Sequence, residues 1–410
     1  MNVELLSPAG SYESLRAAIN GGADSIYFGA GALNMRSRSS FNFKESDAKK
    51  IVNICEKKGV KAYLALNAVI YDEELEKAKK TLISAKNAGV FAIIAGDVAV
   101  IKMAHSLGLR IHISVQANVS NIEAVRFYSK YADVIVLARE LSLDQIKKII
   151  SEIKREKIKG PSGELVKIEI FVHGALCVSI SGKCYMSLAV YNASANRGAC
   201  YQNCRRSYRV TDENNGNELI IDNKFVMSPK DICLIRCLDK IADSGVSILK
   251  IEGRGRSSDY VYTVTKTYRE ALDSIPKGQY TKKNIEKWEK ELRSVFNRGF
   301  WHGGYYLGNP LEMWSNMPDN KAEKKKIRVG IVSNYFAKIK VVEITLREGE
   351  ISVGDEILFI GKTTGAVKEI VSNIRFEEKD IPMAVKGMVV SIPVKTKLRK
   401  NDAVFVMKIQ

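Results

Sequence analysis

The sequence predicts a (β/α)8 TIM-like barrel with a long cysteine-bearing insertion after its seventh strand, followed by a small C-terminal β-barrel domain. Between Glu4 and Gly253, short β-branched runs alternate with amphipathic helical segments, which is the pattern of parallel strands joined by crossover helices. Eight such units within about 250 residues match the size of a (β/α)8 barrel. An open doubly wound sheet would alternate in the same way, but no Gly-x-Gly-x-x-Gly follows the first strand, so the barrel is preferred.

The predicted strands are the short runs rich in apolar and β-branched residues between turn signals. They are Val3–Leu6, Ser25–Phe28, Lys61–Leu66, Phe91–Ile94, Arg110–Val115, Asp133–Leu137, Lys167–Val172 and Ser247–Ile251. Later helices are predicted at Asp231–Ser244, Ser258–Ser274 and Lys282–Arg293. We therefore expect the barrel and its trailing helices to occupy residues 1–318, with an insertion at about 173–227.

The C-terminal part has a different pattern. A charged link, 319–328, leads to short alternating strands in residues 329–410, which predict the small β-barrel domain. This domain has few convergent polar residues, so we expect an accessory module that binds RNA or a partner. The aromatic, glycine-rich passage before it, 297–306, either stacks on bases or packs a domain edge.

Composition indicates a soluble globular protein, since 46% of the 410 residues are hydrophobic and 27% are charged. The N-terminus shows no basic segment followed by an apolar one, and no apolar run is long enough to span a bilayer. We therefore expect a cytoplasmic protein without a membrane segment. In that reducing compartment, seven cysteines favour metal binding or catalysis over a disulfide framework.

The chain is basic, with 64 Lys and Arg against 46 Asp and Glu, a formal charge of +18. Such an excess is typical of proteins that bind polyanions, because basic side chains neutralise phosphates and release counterions. The alternative is a set of solvated lysines on exposed helices, as in Lys147–Lys159. A cluster is more informative than the total, and four arginines lie in one acid-free stretch: Arg197, Arg205, Arg206 and Arg209.

The same stretch carries four cysteines, Cys177, Cys184, Cys200 and Cys204, separated by six, fifteen and three residues. Structural zinc sites use paired Cys-x2–4-Cys hooks, and only the last pair fits that range. Irregular spacing suits a 4Fe–4S cluster, which accepts ligands from long loops. Spacing alone leaves iron–sulfur, zinc and free thiols open. A bound cluster would order a loop with too little apolar content to order itself, whereas Cys55 and Cys237 are expected in the core and Cys233 is a reserve ligand.

Polar residues follow most of the predicted strands, where barrel enzymes place their chemistry. Some of them are expected to cap the helix that follows, and Ser142 and Ser228 are the two candidates for this role. Long side chains at such positions are better candidates for binding or catalysis. Those selected as catalytic candidates are Gln116, Arg139, Glu140, His173, Glu252 and Arg254.

The stretch Glu169–Ser187 resembles the signature of the U32 family, long labelled peptidases or collagenase-like proteases. Further resemblance to family blocks is found at Leu5–Gly10, Ser114–Asn118, Arg139–Ser142, Met227–Asp231 and Leu249–Arg254. The resemblance covers the chain from end to end, and its length and C-terminal domain are most similar to the tRNA uridine hydroxylase branch. Sister branches act on ribosomal RNA cytidine or a ubiquinone precursor.

The resemblance implies an activity and a ligand set. Members of that branch are implicated in oxygen-independent formation of 5-hydroxyuridine at the wobble position of tRNA, with prephenate as co-substrate. By resemblance, Cys177, Cys184, Cys200 and Cys204 bind a 4Fe–4S cluster. The resemblance also implies that tRNA is the partner, and that the chain associates with a related subunit or forms a homo-oligomer. A non-catalytic, metal-stapled RNA-binding scaffold remains a second hypothesis.

The candidate residues suggest separate roles within that activity. The guanidinium groups of Arg36, Arg38, Arg139 and Arg254 are candidates for the two carboxylates of prephenate. The amides of Gln116 and Asn118 are suited to the uracil edge, while Arg197, Arg205 and Arg206 are candidates for RNA phosphate. Glu140 and Glu252 are expected to hold the arginines rather than to act as bases.

The peptidase label makes a different demand, because a protease requires an activated nucleophile or a metal-bound water. The sequence has four histidines and contains neither His-Glu-x-x-His nor Gly-x-Ser-x-Gly. Only His173 near Cys177 resembles a Cys–His pair, and a thiolate committed to a cluster cannot also attack a carbonyl. Peptidase activity is therefore the alternative hypothesis.

Overall fold

The structure is a computed structural model that describes residues 3–38, 42–180, 183–208, 227–302, 315 and 320–409. Its N-terminal part is a closed barrel of eight parallel strands, which confirms the predicted fold class. The barrel strands are β1 Glu4–Ala9, β2 Ser25–Gly29, β3 Lys61–Ala65, β4 Ala92–Ala95, β5 Ile111–Ile113, β6 Val134–Val136, β7 Lys167–Ala175 and β9 Ile248–Ile251. The barrel closes because β9 pairs with both β1 and β7, with Ile248 opposite Glu4 on one side and Glu169 on the other.

Helices connect the barrel strands and cover the outside of the barrel. They are α1 Tyr12–Asn20, α2 Ala48–Glu56, α3 Leu75–Ala88, α4 Val98–Ser106, α5 Ile122–Ser129, α6 Leu143–Glu156, α8 Leu238–Asp243 and α9 Ser258–Ser274; α7 Met186–Tyr191 lies in the insertion, and α10 Lys282–Arg293 follows α9. Ser142 caps α6 in a reciprocal capping box with Gln145, as the sequence predicts.

The helix predicted at Asp231–Ser244 is wrong in its first half. Asp231–Cys233 forms a short strand, β8, which pairs antiparallel with the end of β7 and places His173 opposite Cys233. The strand β10, Phe300–Trp301, pairs with β8 in turn, so these two aromatics pack a domain edge. Strand β7 extends beyond the barrel to Ala175, and this extension offers backbone groups that β8 satisfies. Ser228 therefore caps no helix, and its hydroxyl lies 3.4 Å from Arg205 Nη1.

The C-terminal part is all-β and antiparallel, as predicted. Its strands are β11 Lys324–Phe336, β12 Val341–Leu346, β13 Glu350–Ser352, β14 Glu356–Gly361, β15 Gly365–Ile370, β16 Ile374–Phe376, β17 Lys379–Ile381, β18 Met383–Val385, β19 Val389–Pro393 and β20 Ala403–Ile409. Eight of them form one sheet in the order β15-β14-β20-β11-β12-β19-β16-β17, and β13 pairs with β18. Because β11 begins at Lys324, the second half of the predicted link 319–328 belongs to the sheet.

The β-domain packs against the barrel through α1 and α9. The Asn20 side-chain amide donates to the Thr364 carbonyl at 3.1 Å, and the Lys326 ammonium lies 2.6 Å from an Asp259 carboxylate oxygen. Gly365 has a φ of +80°, and a Cβ there would lie 2.9 Å from the backbone nitrogen of Ala17. Glycine is therefore required at this close approach. Within the described part of the chain, the helices are all too short or too polar to cross a membrane.

Candidate active site at the barrel mouth

A cavity of about 160 Å³ lies at the carboxyl ends of the barrel strands, where barrel enzymes bind their substrates. The cysteine-bearing insertion forms one wall, and strand ends from β2 to β9 form the rest. Its lining includes all four predicted cysteine ligands and several predicted polar residues: Cys177, Cys184, Cys200, Cys204, Arg36, Gln116, Arg139, Arg205, Glu252 and Arg254. The fold thus brings together residues that are more than 200 positions apart in the sequence.

Glu252 is the carboxylate of this cavity. One of its oxygens lies 3.2 Å from Arg36 Nη2, and the other accepts a hydrogen bond from the Tyr27 hydroxyl at 3.0 Å. Burial alone would raise the pKa of Glu252, but Arg36, Arg254 and Arg139 lower it to about 2. The carboxylate is therefore ionised near neutral pH, and its role is to hold arginines rather than to accept a proton.

Arg139 and Arg254 line the cavity with unused hydrogen-bonding capacity. Arg139 Nη1 donates to the Ala175 carbonyl at 3.2 Å, and its guanidinium lies over the Phe171 ring at 4.3 Å. Arg254 Nη1 donates to Asn34 Oδ1 at 3.0 Å. The Nε atom of each arginine is buried and has no hydrogen-bond partner among the described residues. Both guanidinium groups line the cavity and give it positive charge, which favours an anionic ligand.

Close backbone approaches shape the wall around these side chains. A Cβ at Gly29 would lie 2.5 Å from Arg254 Nη1, so the arginine occupies the space that any larger residue would need. Gly198 of the insertion has a φ of +96°, and a Cβ there would lie 2.1 Å from Ser37 Oγ. The insertion is thereby seated directly on the loop that carries Arg36, and the Arg38 amide donates to the Gly198 carbonyl at 3.1 Å.

Two of the arginines predicted to contact RNA are structural. Arg205 is buried and donates to the carbonyls of Leu176, at 2.7 Å, and Pro229. Arg197 forms a two-pronged ion pair with Glu74, at 2.7 and 2.9 Å, and its guanidinium lies 3.7 Å from the Tyr71 ring centre. Both side chains are thus engaged in holding the insertion, and their assignment as phosphate contacts stays a prediction.

Other predicted residues lie elsewhere. Arg206 is exposed on the surface of the insertion, and Arg209 is outside the described residues. Gln116 lines the cavity and its Oε1 accepts a hydrogen bond from the Ser114 hydroxyl at 2.6 Å. Arg38, Asn118 and Glu140 do not belong to the described cavity lining; Asn118 ends a short 3-10 turn with a φ of +51°, and Glu140 is exposed.

His173 is also outside the described lining, which corrects its assignment as a catalytic residue. It is buried and packs against the rings of Tyr260, Tyr268 and Phe300. Burial, followed by the influence of His302, lowers the pKa of His173 to about 3. The imidazole is therefore neutral near neutral pH, and its ring contacts lie among these aromatic side chains.

The sequence interpretation missed a buried ionic group in the barrel interior. Lys250 lines the cavity floor, and its Nζ lies 2.7 Å from Glu169 Oε1. The second Glu169 oxygen lies 2.9 Å from His112 Nδ1. Burial would raise the pKa of Glu169, but Lys250 and His112 lower it to about 2. The available signal was a charged residue inside an apolar strand: Glu169 lies between Ile168 and Ile170, and Lys250 between Leu249 and Ile251.

We expect Glu169→Gln to destabilise the protein by about 3–5 kcal/mol at neutral pH, because it leaves the Lys250 ammonium buried without its counter-charge. The pKa of Glu169 is lower in the folded state than its ordinary value of 4.5. Its contribution is therefore present above that value and is lost as the pH falls from about 4.5 towards 2. Denaturant unfolding at neutral and acidic pH measures both effects.

The exposed Glu140→Gln serves as the control and is expected to change the free energy of unfolding by less than about 0.5 kcal/mol. The double variant Glu169→Met, Lys250→Met is expected to cost less than Glu169→Gln, since it removes both charges. A Glu169→Gln protein as stable as the wild type, with unchanged acid sensitivity, would contradict this account.

The four cavity cysteines line one space, and four thiolates are the donor set that a 4Fe–4S cluster requires. Burial raises the pKa of the Cys204 thiol; Arg205 opposes this effect, and Cys177, Cys200 and Cys184 each add to it. Within the described ranges, no three His, Cys, Asp or Glu side chains are arranged to hold one metal ion. A 4Fe–4S cluster attaches each thiolate to a different iron and spans a wider space. It would be held by these four cysteines.

Anaerobically purified protein is expected to contain iron and acid-labile sulfide, and alanine substitution at Cys177, Cys184, Cys200 or Cys204 is expected to remove most of both, because each thiolate holds one corner of the cluster. Cys55→Ala is the matched control, since Cys55 is buried in α2. Iron and sulfide analysis measures the result. Iron-free wild-type protein, or equal iron in the cavity variants and the control, would contradict the assignment.

Comparison with known proteins agrees with this architecture. Residues 10–316 match the model of Peptidase family U32. The chain belongs to family U32. A collagenase of Porphyromonas gingivalis is 49% identical to this U32 chain over 408 residues, covering 99% of the chain and 98% of the relative.

Two other relatives of this U32 protein have names that refer to RNA. The tRNA hydroxylation protein P1 of Bacillus subtilis is 31% identical over 365 residues, covering 87% of the chain and 83% of the relative. A 23S rRNA 5-hydroxycytidine synthase of Escherichia coli is 36% identical over 274 residues, covering 67% of the chain but 40% of the longer relative. Relatives named as hydroxylases and as peptidases together indicate that the U32 chain is an enzyme.

Proposed function

We propose that this protein is an RNA hydroxylase that oxidises C5 of a pyrimidine, with the wobble uridine of tRNA as the target and prephenate as co-substrate. The observation that carries the proposal is the shared cavity: four cysteine thiols, four arginine side chains and four amide side chains line the same space. Relatives named for hydroxylation of tRNA and of ribosomal RNA support the substrate class.

The proposal gives each cavity residue a task. Arg139 and Arg254 bind the carboxylates of prephenate, because both guanidinium groups line the cavity and pair well with carboxylates. Glu252 fixes Arg36 and Tyr27 at the wall and stays ionised. Gln116 presents its side-chain NH2 to a base edge, since its oxygen is already engaged by Ser114.

The cysteines supply the remaining requirement. A 4Fe–4S cluster held by Cys177, Cys184, Cys200 and Cys204 supplies one-electron redox chemistry when bound, and hydroxylation at C5 is an oxidation. The insertion that carries these cysteines is fixed to the barrel by Arg205 and Arg197. The target nucleotide must leave its stack to enter the cavity, and this costs least in a single-stranded loop.

A peptidase is the second candidate, because the relative with 49% identity is named a collagenase. The geometry gives it little support. His173, the histidine near Cys177 in sequence, is buried among aromatic rings outside the described cavity lining. A cysteine nucleophile needs an adjacent base. Release of peptides from gelatin by purified protein, lost in Cys177→Ala, would favour this candidate.

Deletion of the coding gene is expected to remove 5-hydroxyuridine and its derivatives from bulk tRNA, because the proposed function makes this protein the enzyme that forms the modification. Nucleoside mass spectrometry of tRNA from the deleted and complemented strains measures this. Unchanged 5-hydroxyuridine in the deleted strain would overturn the tRNA assignment, and loss of 5-hydroxycytidine from ribosomal RNA would redirect it.

Complementation with Arg254→Gln is expected to restore at most about a hundredth of the wild-type modification, since loss of a buried, charge-assisted contact to a carboxylate costs about 3 kcal/mol. Arg347→Gln is the matched control, because Arg347 is exposed on the β-domain. The same nucleoside measurement compares the strains at equal protein level. Full activity of Arg254→Gln would contradict the role assigned to this arginine.

A further inference from the structure

Four exposed tyrosines and one exposed arginine lie on the insertion. This group, here called the tyrosine surface, consists of Tyr185, Tyr191, Tyr201, Tyr208 and Arg206. The tyrosines retain 71%, 43%, 46% and 37% of their accessible surface respectively, although tyrosine usually buries most of its ring. These four tyrosines belong neither to the described cavity lining nor to the described core of the barrel.

Several members of the tyrosine surface contact one another or the backbone of the insertion. The rings of Tyr191 and Tyr201 meet edge to face, with centroids 5.2 Å apart, and the Arg206 guanidinium lies 5.4 Å from the Tyr191 centroid. The Tyr201 amide donates to Ser187 Oγ at 3.0 Å, and the Tyr208 hydroxyl donates to the Asn203 carbonyl at 2.8 Å. These contacts hold Tyr191, Tyr201 and Arg206 together and anchor Tyr208, and all four tyrosines remain exposed.

Its position is tied to the cavity by covalent neighbours. Tyr185 directly follows Cys184, and Tyr201 directly follows Cys200, and both cysteines line the cavity. The tyrosine surface and the cavity wall thus belong to the same short segments of the insertion.

The charge of the insertion indicates what kind of partner fits. The sequence 176–208 contains no Asp or Glu. Lys183 and Arg206 are exposed within it, and the exposed Arg38 contacts it through the Gly198 carbonyl. Exposed aromatic rings with cations beside them suit a strand that carries both flat bases and phosphates. A protein partner would be expected to supply acids or apolar residues instead.

We propose that the tyrosine surface binds unpaired nucleotides next to the target base of an RNA loop, by stacking bases on Tyr185, Tyr191 and Tyr201. This inference rests on the proposed function for its substrate class. Arg206, Lys183 and Arg38 provide the nearby phosphate contacts, because Arg197 and Arg205 are committed to the fold. Base stacking makes recognition tolerant of sequence and selective for unpaired nucleotides over a duplex.

The test measures binding of a fluorescein-labelled tRNA anticodon stem–loop, and of a duplex with the same stem and no loop, to the full-length protein purified anaerobically. Tyr185→Leu, Tyr191→Leu and Tyr201→Leu are each expected to weaken loop binding about tenfold, the loss of one stacked base. The corresponding Tyr→Phe variants are expected to bind as the wild type does, because they keep the ring. Duplex binding is expected to be weak and equal in all variants.

Salt dependence separates stacking from charge. The Tyr→Leu variants are expected to keep the wild-type slope of affinity against salt concentration, whereas Arg206→Gln is expected to lower the slope by about one phosphate contact. Phe127→Leu is the matched control, since Phe127 is 51% exposed on α5, in a different part of the barrel. Iron content confirms that each variant keeps the insertion intact.

Loop affinity unchanged in all three Tyr→Leu variants would overturn the proposal, and so would equal loss of affinity in the Tyr→Phe variants. Loss of self-association in the Tyr→Leu variants, with loop binding intact, would also overturn it and identify the surface as a protein interface. Failure of the proposed function has a different signature: the loop binds and the Tyr→Leu variants weaken it, but the deleted strain keeps its 5-hydroxyuridine.

Discussion

Two buried carboxylates that stay ionised fix the charged side chains at the barrel mouth. Glu169 holds the Lys250 ammonium at the cavity floor, and Glu252 holds Arg36 at the wall. The pKa of each carboxyl lies near 2 because cations surround it. A barrel interior is usually filled with branched apolar residues, and an ionic interior of this kind costs desolvation energy. As a result, Lys250 and Arg36 are held in position in the cavity before any ligand binds.

The insertion depends on the barrel for its position. The sequence suggested that a cluster alone would order it, because the segment has little apolar content. The structure adds protein contacts that do the same work: Arg205 bonds to backbone carbonyls on both sides of the insertion, Arg197 pairs with Glu74, and Gly198 sits against Ser37. The cysteines are thereby presented to the cavity by the fold itself, and the exposed tyrosines follow from the same placement.

Sequence reasoning predicted the barrel because each strand is a short β-branched run, and this local signal does not depend on distant partners. It placed the four cysteines and the residues Gln116, Arg139, Glu252 and Arg254 at one end of the fold for the same reason. It could not predict that Arg197 and Arg205 are structural, because their partners are chosen by tertiary contacts. The helix expected from Asp231 was wrong at its start because the exposed edge of β7 recruits that segment as a strand. Lys250 was overlooked because its Glu169 partner is 81 residues away.

In the proposed function, a cluster on the insertion and a target base of RNA share the cavity at the barrel mouth. Pulsed electron paramagnetic resonance of the reduced, anaerobic protein measures this proximity, with a bound anticodon stem–loop that is isotope-labelled in the target uracil alone. We expect hyperfine coupling between the cluster electron spin and the labelled ring, and its loss when the label is moved to a stem base. A cluster signal with the loop bound and no coupling to the target uracil would refute the shared cavity.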